Sequence, residues 1–327
     1  MLEHGGQLHA AAQRYGIPVM EWLDLSTGIN PISFVPPPIP VESWQRLPQQ
    51  QDGLLQAAAD YYGSKNLLPL AGTQAAIQLL PRLRKQCRAG VLHPAYAEHA
   101  HAWRNAGHEV TDLSPHDIDA AIEWLDVLVL VQPNNPTGYT FTSTQLQGWL
   151  DKLQTRQGWL IVDEAFIEAS TQTSMVQAEM PPGLIVLRSP GKFFGLAGAR
   201  IGFVFAQEEL LARMQELSGP WNVSGPSRFV AQAALLDRGW QTATRLRLQQ
   251  HGARLAQLLH EAKLAPEGGC GLFQWVKTEQ AETIHENLAQ RGILTRLFSQ
   301  PHSLRFGLPG SEADWLRLQT ALAEIRQ

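Results

Sequence analysis

The residues best suited to chemistry lie in the stretch Ser189-Pro190-Gly191-Lys192-Phe193-Phe194-Gly195-Leu196-Ala197-Gly198-Ala199-Arg200. A single lysine sits among glycines and aromatics, with a hydroxyl before it and an arginine beyond it. Lys192 is expected to carry a covalently bound aldehyde cofactor. A Gly-Lys pair beside aromatics is also an ordinary surface turn, so the rest of the chain has to supply the support.

It does so at the ends of short apolar runs. Gly72-Thr73-Gln74 follows Leu67 to Leu70 and opens a helix, whose free N–H groups and dipole would hold a phosphate. Tyr96, after Val91-Leu92, would lay its ring on a flat heteroaromatic ligand. Asn135, in Gln132-Pro133-Asn134-Asn135-Pro136-Thr137-Gly138, is an amide between prolines after the run Val127 to Val131, a loop suited to holding a donor rigidly. Asp163 follows Trp159 to Val162, and Ser189, Lys192 and Arg200 follow Leu184 to Leu187. Each has a bland alternative: a helix cap for Thr73 and Asp163, a core aromatic for Tyr96. Taken together they fit pyridoxal phosphate, with Asp163 on the pyridinium nitrogen, Asn135 on the ring 3-oxygen, Tyr96 on the ring face, and Gly72, Thr73, Ser189 and Arg200 around the phosphate.

Several runs, Val127 to Val131 above all, are apolar at every position, as strands buried on both faces are. Helical patterns such as Thr142 to Leu153 separate many of them, which predicts an α/β fold with a mostly parallel sheet covered by helices. In such sheets ligands sit beyond the carboxyl ends of the strands, where these polar residues lie. An N-terminal arm over 1–50, a large cofactor-binding domain over 51–225 and a smaller C-terminal α+β domain over 226–327 are expected. One long helical pattern runs from 226 to about His260, and Gly268-Gly269-Cys270-Gly271 reads as a bend.

The 327 residues, 44% apolar and 17% charged with a formal net charge of −4, describe an enzyme-sized globular chain without the basic character of a nucleic-acid binder. Cys87 and Cys270 form no CxxC pair, and His99 and His101 would not share a helical face, so no metal site is expected. Neither a signal peptide nor a membrane-spanning run is recognisable, and a cytoplasmic protein is expected.

The order Asn-Pro-x-Gly, Asp-x-Ala-aromatic, Ser-x-x-Lys and a following Arg resembles the fold-type I pyridoxal-phosphate enzymes over essentially the whole chain. The resemblance implies a homodimer with active sites at the interface, and a C-terminal arginine, here Arg305, that grips the substrate carboxylate. Asp163-Glu164-Ala165-Phe166-Ile167-Glu168 and the Lys192 to Gly202 stretch are similar to the branch shared by histidinol-phosphate aminotransferases and the threonine-phosphate decarboxylases of cobalamin synthesis. His4-Gly5-Gly6, Asp24-Leu25-Ser26-Thr27-Gly28-Ile29-Asn30-Pro31 and Phe166 in place of a tyrosine favour the decarboxylases. The expected substrate is therefore a small phosphorylated amino acid, with aminotransfer as the alternative. His4, Asn30 and Asn222 are the candidates for anchoring its phosphate. A tyrosine that reaches the partner's cofactor phosphate in the family is replaced in Leu47-Pro48-Gln49. The sensor domain of a transcription regulator is a weaker rival, since it needs an attached basic DNA-binding module.

Overall fold

The computed structural model describes residues 4–325. In chain order the strands are β1 (Leu23–Asp24), β2 (Leu67–Leu70), β3 (Arg88–Leu92), β4 (Glu109–Leu113), β5 (Val127–Val131), β6 (Trp159–Asp163), β7 (Leu184–Arg188), β8 (Gly202–Phe205), β9 (Gly268–Cys270), β10 (Phe273–Lys277), β11 (Ile293–Leu294), β12 (Arg296–Ser299) and β13 (His302–Gly307). Seven of them form one sheet in the order β2-β8-β7-β6-β5-β3-β4. The β4, β3, β5, β6 and β7 pairings are parallel, and β8 runs antiparallel to both β7 and β2. The α/β architecture expected from the alternating runs is what the chain adopts.

The apolar continuity of β5 has a direct structural cause. Leu128 and Leu130 face one layer, where they join Leu160, Val162 and the helix Ser143–Gln154 through Leu146, Trp149, Leu150 and Leu153. Val127 and Val129 face the other, with Ile161, Ile185, Ile77, Trp103 and Met214. A strand with period-two side chains and helices on both faces must be apolar at every position. The helix Ser143–Gln154 starts where Thr142 and Gln145 close a reciprocal capping box.

A second sheet, β12-β13-β10-β9, is antiparallel throughout. The N-terminal segment joins this part of the chain, because β1 pairs in parallel with β11, Leu23 opposite Ile293.

Two local expectations are corrected. The long helical pattern after 225 is two helices, Gly225–Leu236 and Arg238–Glu261, because Asp237 between them caps the second by accepting from Trp240 N at 2.8 Å. Gly268-Gly269-Cys270 is an edge strand and not a bend. Its glycines are required by close approach: a Cβ on Gly268 would collide with the Thr137 carbonyl, and Gly269 packs its backbone on Gly138. The second sheet thereby abuts the loop that carries Asn135. No helix among the described residues is long and apolar enough to cross a membrane.

Candidate active site

Strands β5, β6 and β7 end side by side, and their parallel register delivers Asn135, Asp163 and Lys192 to one edge. The cavity there, about 130 Å³, is lined by Gly72, Thr73, Gln74, Tyr96, Asn135, Asp163, Ser189, Lys192 and Arg200, with Phe166 closing one side. Four larger cavities, about 760, 750, 540 and 260 Å³, contain neither the lysine nor Asp163. Chemistry identifies the site here, and size does not.

Lys192 lies in the short helix Pro190–Phe193, begun by Ser189 and Pro190 directly after β7. Removal of water from its amine pushes its pKa down to about 8, helped by the Arg305 and Arg200 cations and opposed by Asp163. An amine so placed gives up half its protons near pH 8, so a far larger fraction than for an ordinary lysine is the free nucleophile that attacks an aldehyde.

Asp163 is buried and held twice. Its Oδ1 accepts from Ala165 N at 3.0 Å, and its Oδ2 lies 2.9 Å from His99 Nε2. His99, buried in the helix Glu98–Asn105, also meets Tyr96 edge to face at 6.2 Å. Sequence reasoning weighed His99 only as a metal ligand and missed this role. Its partner is far away in sequence, and no spacing rule connects them. Among the described residues no cluster of His, Cys, Asp and Glu could hold a metal ion.

Pyridoxal phosphate needs an anion cradle, an amine, a donor to its ring oxygen and a carboxylate for its ring nitrogen. Gly72 has φ +80°, and a Cβ there would meet Arg200 Nη2 at 2.7 Å. Arg200 itself takes a left-handed backbone, φ +48°. The pair brings a guanidinium against the backbone that opens the helix Thr73–Leu79, an anion cradle that a side chain would fill. Gly202 leaves room in the same way, since a Cβ would meet Thr73 N at 2.6 Å. Arg305, on β13, donates through Nη1 to Asn135 Oδ1 and through Nη2 to the Ser26 carbonyl at 2.7 Å. With its oxygen taken, Asn135 keeps its Nδ2 as the free donor, which suits a phenolic oxygen on the cofactor ring. Cradle, amine, donor amide and buried carboxylate fit the cofactor.

The remaining candidates divide. His4 comes close: its Nε2 lies 2.9 Å from Glu98 Oε1 and its ring centroid 6.0 Å from that of Tyr96. Asn30 lies near Lys192 but both ends of its amide serve the backbone, Nδ2 donating to the Phe193 carbonyl at 2.9 Å and Oδ1 accepting from Ile32 N at 3.1 Å. Asn222 donates to the Pro69 carbonyl at 3.2 Å and to Ser218 Oγ at 3.1 Å, in a separate cavity with Pro48 and Trp221. The structure does not bring Asn222 to the site. Amides in loops resemble ligands in a sequence, yet loops also need them to satisfy their own backbone. Arg296, which sequence reasoning did not single out, stands directly opposite Arg305 across β12 and β13. Burial first, and then the Arg296 charge, push the Arg305 pKa down to about 10.

Behind the site, Arg188 at the end of β7 clamps two carboxylates that follow β6. It donates to Glu164 Oε2 at 3.2 Å and to Glu168 Oε1 at 2.7 Å, all three side chains being buried. Glu164 also accepts from Met175 N at 2.6 Å and Ser174 Oγ at 2.5 Å, although burial pushes its pKa up. Arg188→Met leaves two buried carboxylates without their cation, and the unfolding free energy is expected to fall by about 3 kcal/mol. Urea denaturation checks this, and a loss below about 1 kcal/mol would mean that the clamp adds little beyond a surface ion pair.

Residues 43–324 match the family model described as aminotransferase class I and II. The chain is 53% identical to a Pseudomonas aeruginosa protein named threonine-phosphate decarboxylase, over 100% of this chain and 99% of that one. A Sinorhizobium protein of the same name is 41% identical over 98% of each chain. Among solved structures, the histidinol-phosphate aminotransferase of Sinorhizobium meliloti in complex with pyridoxal-5'-phosphate superposes with a TM-score of 0.83 at 20% identity, covering 99% of this chain and 95% of that one. That likeness concerns the fold. With the family model spanning most of the chain and two relatives matching it from end to end, the protein belongs to the aminotransferase class I and II family and is a fold-type I pyridoxal-phosphate enzyme.

Proposed function

We propose that the protein decarboxylates L-threonine O-3-phosphate to (R)-1-amino-2-propanol O-2-phosphate, the step that serves cobalamin synthesis. The observation that carries this reading is the end-to-end likeness to the two threonine-phosphate decarboxylases. Bound in the cavity, pyridoxal phosphate would supply an aldehyde for the substrate amine and a ring that accepts the electron pair left when a bond to the α-carbon breaks.

The chain's own residues have these roles in this reading. Lys192 would hold the cofactor through its amine and, as an ammonium, would deliver a proton to the α-carbon. Asp163, oriented by His99, sustains the positive charge on the ring nitrogen. Gly72, Thr73, Gln74, Ser189 and Arg200 bind the cofactor phosphate, while Tyr96 covers the ring and Asn135 donates to its 3-oxygen. The substrate carries a carboxylate and a phosphate, and Arg305 with its cross-strand neighbour Arg296 places two cations against them, His4 approaching from the arm. Phe166 lies on the cavity wall, its ring centroid 5.9 Å from the Lys192 amine, and offers no hydroxyl to the cofactor.

A homodimer completes the proposal. Val41, Trp44, Leu47 and Trp221 are exposed on the single chain, apolar surface that a second copy would cover. Leu47 would then stand where the family has its cross-subunit tyrosine.

Purified protein loaded with cofactor is expected to release carbon dioxide from threonine phosphate, and to form no glutamate from histidinol phosphate with 2-oxoglutarate. Glutamate formation without carbon dioxide release would replace this reading with the aminotransferase.

A further inference from the structure

Residues 4–6 form a strap fastened at two places. At one of them Gly6 N donates to Ser26 Oγ at 2.7 Å, and Gly5 lies so close to the Ser26 carbonyl that no Cβ could be fitted. That carbonyl is the one that receives Arg305. At the other His4 reaches Glu98, in the first turn of the helix Glu98–Asn105.

Glu98 has more partners than an ordinary first-turn acid. Its Oε1 takes His4, and its Oε2 takes Gln74 Nε2 at 2.7 Å and, more weakly, Gln78 Nε2 at 3.4 Å. The side chain is only 13% exposed. With its nitrogen turned to Glu98, Gln74 presents its carbonyl to the Tyr96 hydroxyl, which donates at 3.2 Å. Burial and then the Glu98 charge push the Tyr96 pKa up to about 12, so the phenol stays a donor. A carboxylate beside a loop suited to phosphate repels that phosphate. Such a placement makes sense when the carboxylate holds something that matters more.

We propose that Glu98 is a positioning residue with two linked duties: it latches the N-terminal strap through His4, and through Gln74 it fixes the Tyr96 ring over the cofactor. Beneath the strap, on the reading above, lies the phosphorylated substrate, and Glu98's effect on KM rests on that reading. Its grip on the strap and on Gln74 does not. A closed strap excludes water from the substrate side and confines the substrate's charged tail between Arg305 and His4. Glu98 touches no reacting atom.

The test uses cofactor-loaded protein carrying Glu98→Ala, His4→Ala or both. Amide exchange over residues 4–15 is expected to rise about tenfold in each single variant and no further in the double, as for two ends of one contact. The visible circular dichroism of bound cofactor is expected to fall in Glu98→Ala, which frees Gln74, and to persist in His4→Ala. With threonine phosphate, KM is expected to rise about fivefold in both single variants with kcat within about twofold. Unchanged exchange in Glu98→Ala, or effects that add fully in the double variant, would overturn the latch. Unchanged dichroism in Glu98→Ala would overturn its hold on Tyr96. Exchange and dichroism are read without substrate, so a protein that released no carbon dioxide would refute the reaction while leaving these two readouts intact.

Discussion

Lys192→Ala is expected to form no borohydride-reducible adduct with pyridoxal phosphate and to lose decarboxylation by a factor of about 10⁵, the scale seen when a catalytic nucleophile is deleted. The reason lies in where the amine stands. It follows β7, faces Asp163, and has its pKa lowered from 10.5 to about 8 by burial and by the Arg305 and Arg200 charges. The free amine attacks an aldehyde and the ammonium does not. Adduct formation by cofactor-free protein should therefore rise with pH and level off above about 8, whereas an ordinary lysine would keep rising toward 10.5. Spectrophotometric titration of the adduct gives the midpoint, and mass spectrometry after reduction gives the site. A reduced adduct on any other lysine, or an undiminished one in the alanine variant, would remove the chemical basis of the site.

Asp163→Asn should leave the fold and the cofactor in place and still lower kcat by about a thousandfold, the range for losing one preorganised electrostatic partner in a water-poor site. Asparagine retains an oxygen for Ala165 N and an amide for His99, so the local geometry is largely kept. What disappears is the negative charge that, in the proposed reading, would sustain the cofactor's ring nitrogen in its charged form. Steady-state carbon dioxide release measures the effect. A fall of less than about tenfold would mean that the charge on the ring nitrogen is not maintained by this residue.

Much of this site could be read in the sequence, for a physical reason. A parallel strand buried on both faces announces itself as a short run of Val, Leu and Ile, and its last residue is followed at once by the groups it delivers. Asn135, Asp163 and Lys192 were singled out that way, and the structure gathers them in one cavity; the α/β fold came from the same runs. His99, Glu98 and Arg296 were passed over because each acquires its meaning from a partner distant in the chain: Asp163, His4 and Arg305. No periodicity encodes such pairs. Arg188 with Glu164 and Glu168 escaped notice similarly, since buried charges resemble surface charges until their neighbours are known. The reverse error fell on Asn222, whose loop position suggested a ligand although its amide serves Pro69 and Ser218. The break at Asp237 was hidden because both flanking segments are good helices, and one capping carboxylate separates them.

Ser26 gives the molecule a constraint of a different kind. Its hydroxyl accepts from Gly6 and donates to Asp24 at 2.6 Å, while its carbonyl receives Arg305. A single residue is thus the shared pivot of the strap and of the arginine on the second sheet. For anyone redesigning the enzyme toward a longer or shorter phosphorylated amine, the strap and Arg305, which the proposed reading sets against the substrate, are not independent dials. Resetting the strap at Ser26 also re-aims Arg305, and through it Asn135, so altered substrate range and altered cofactor contact will be inherited together. Libraries should vary position 26 jointly with positions 4–6 and 305, because screening them separately would reject combinations that work only as a set.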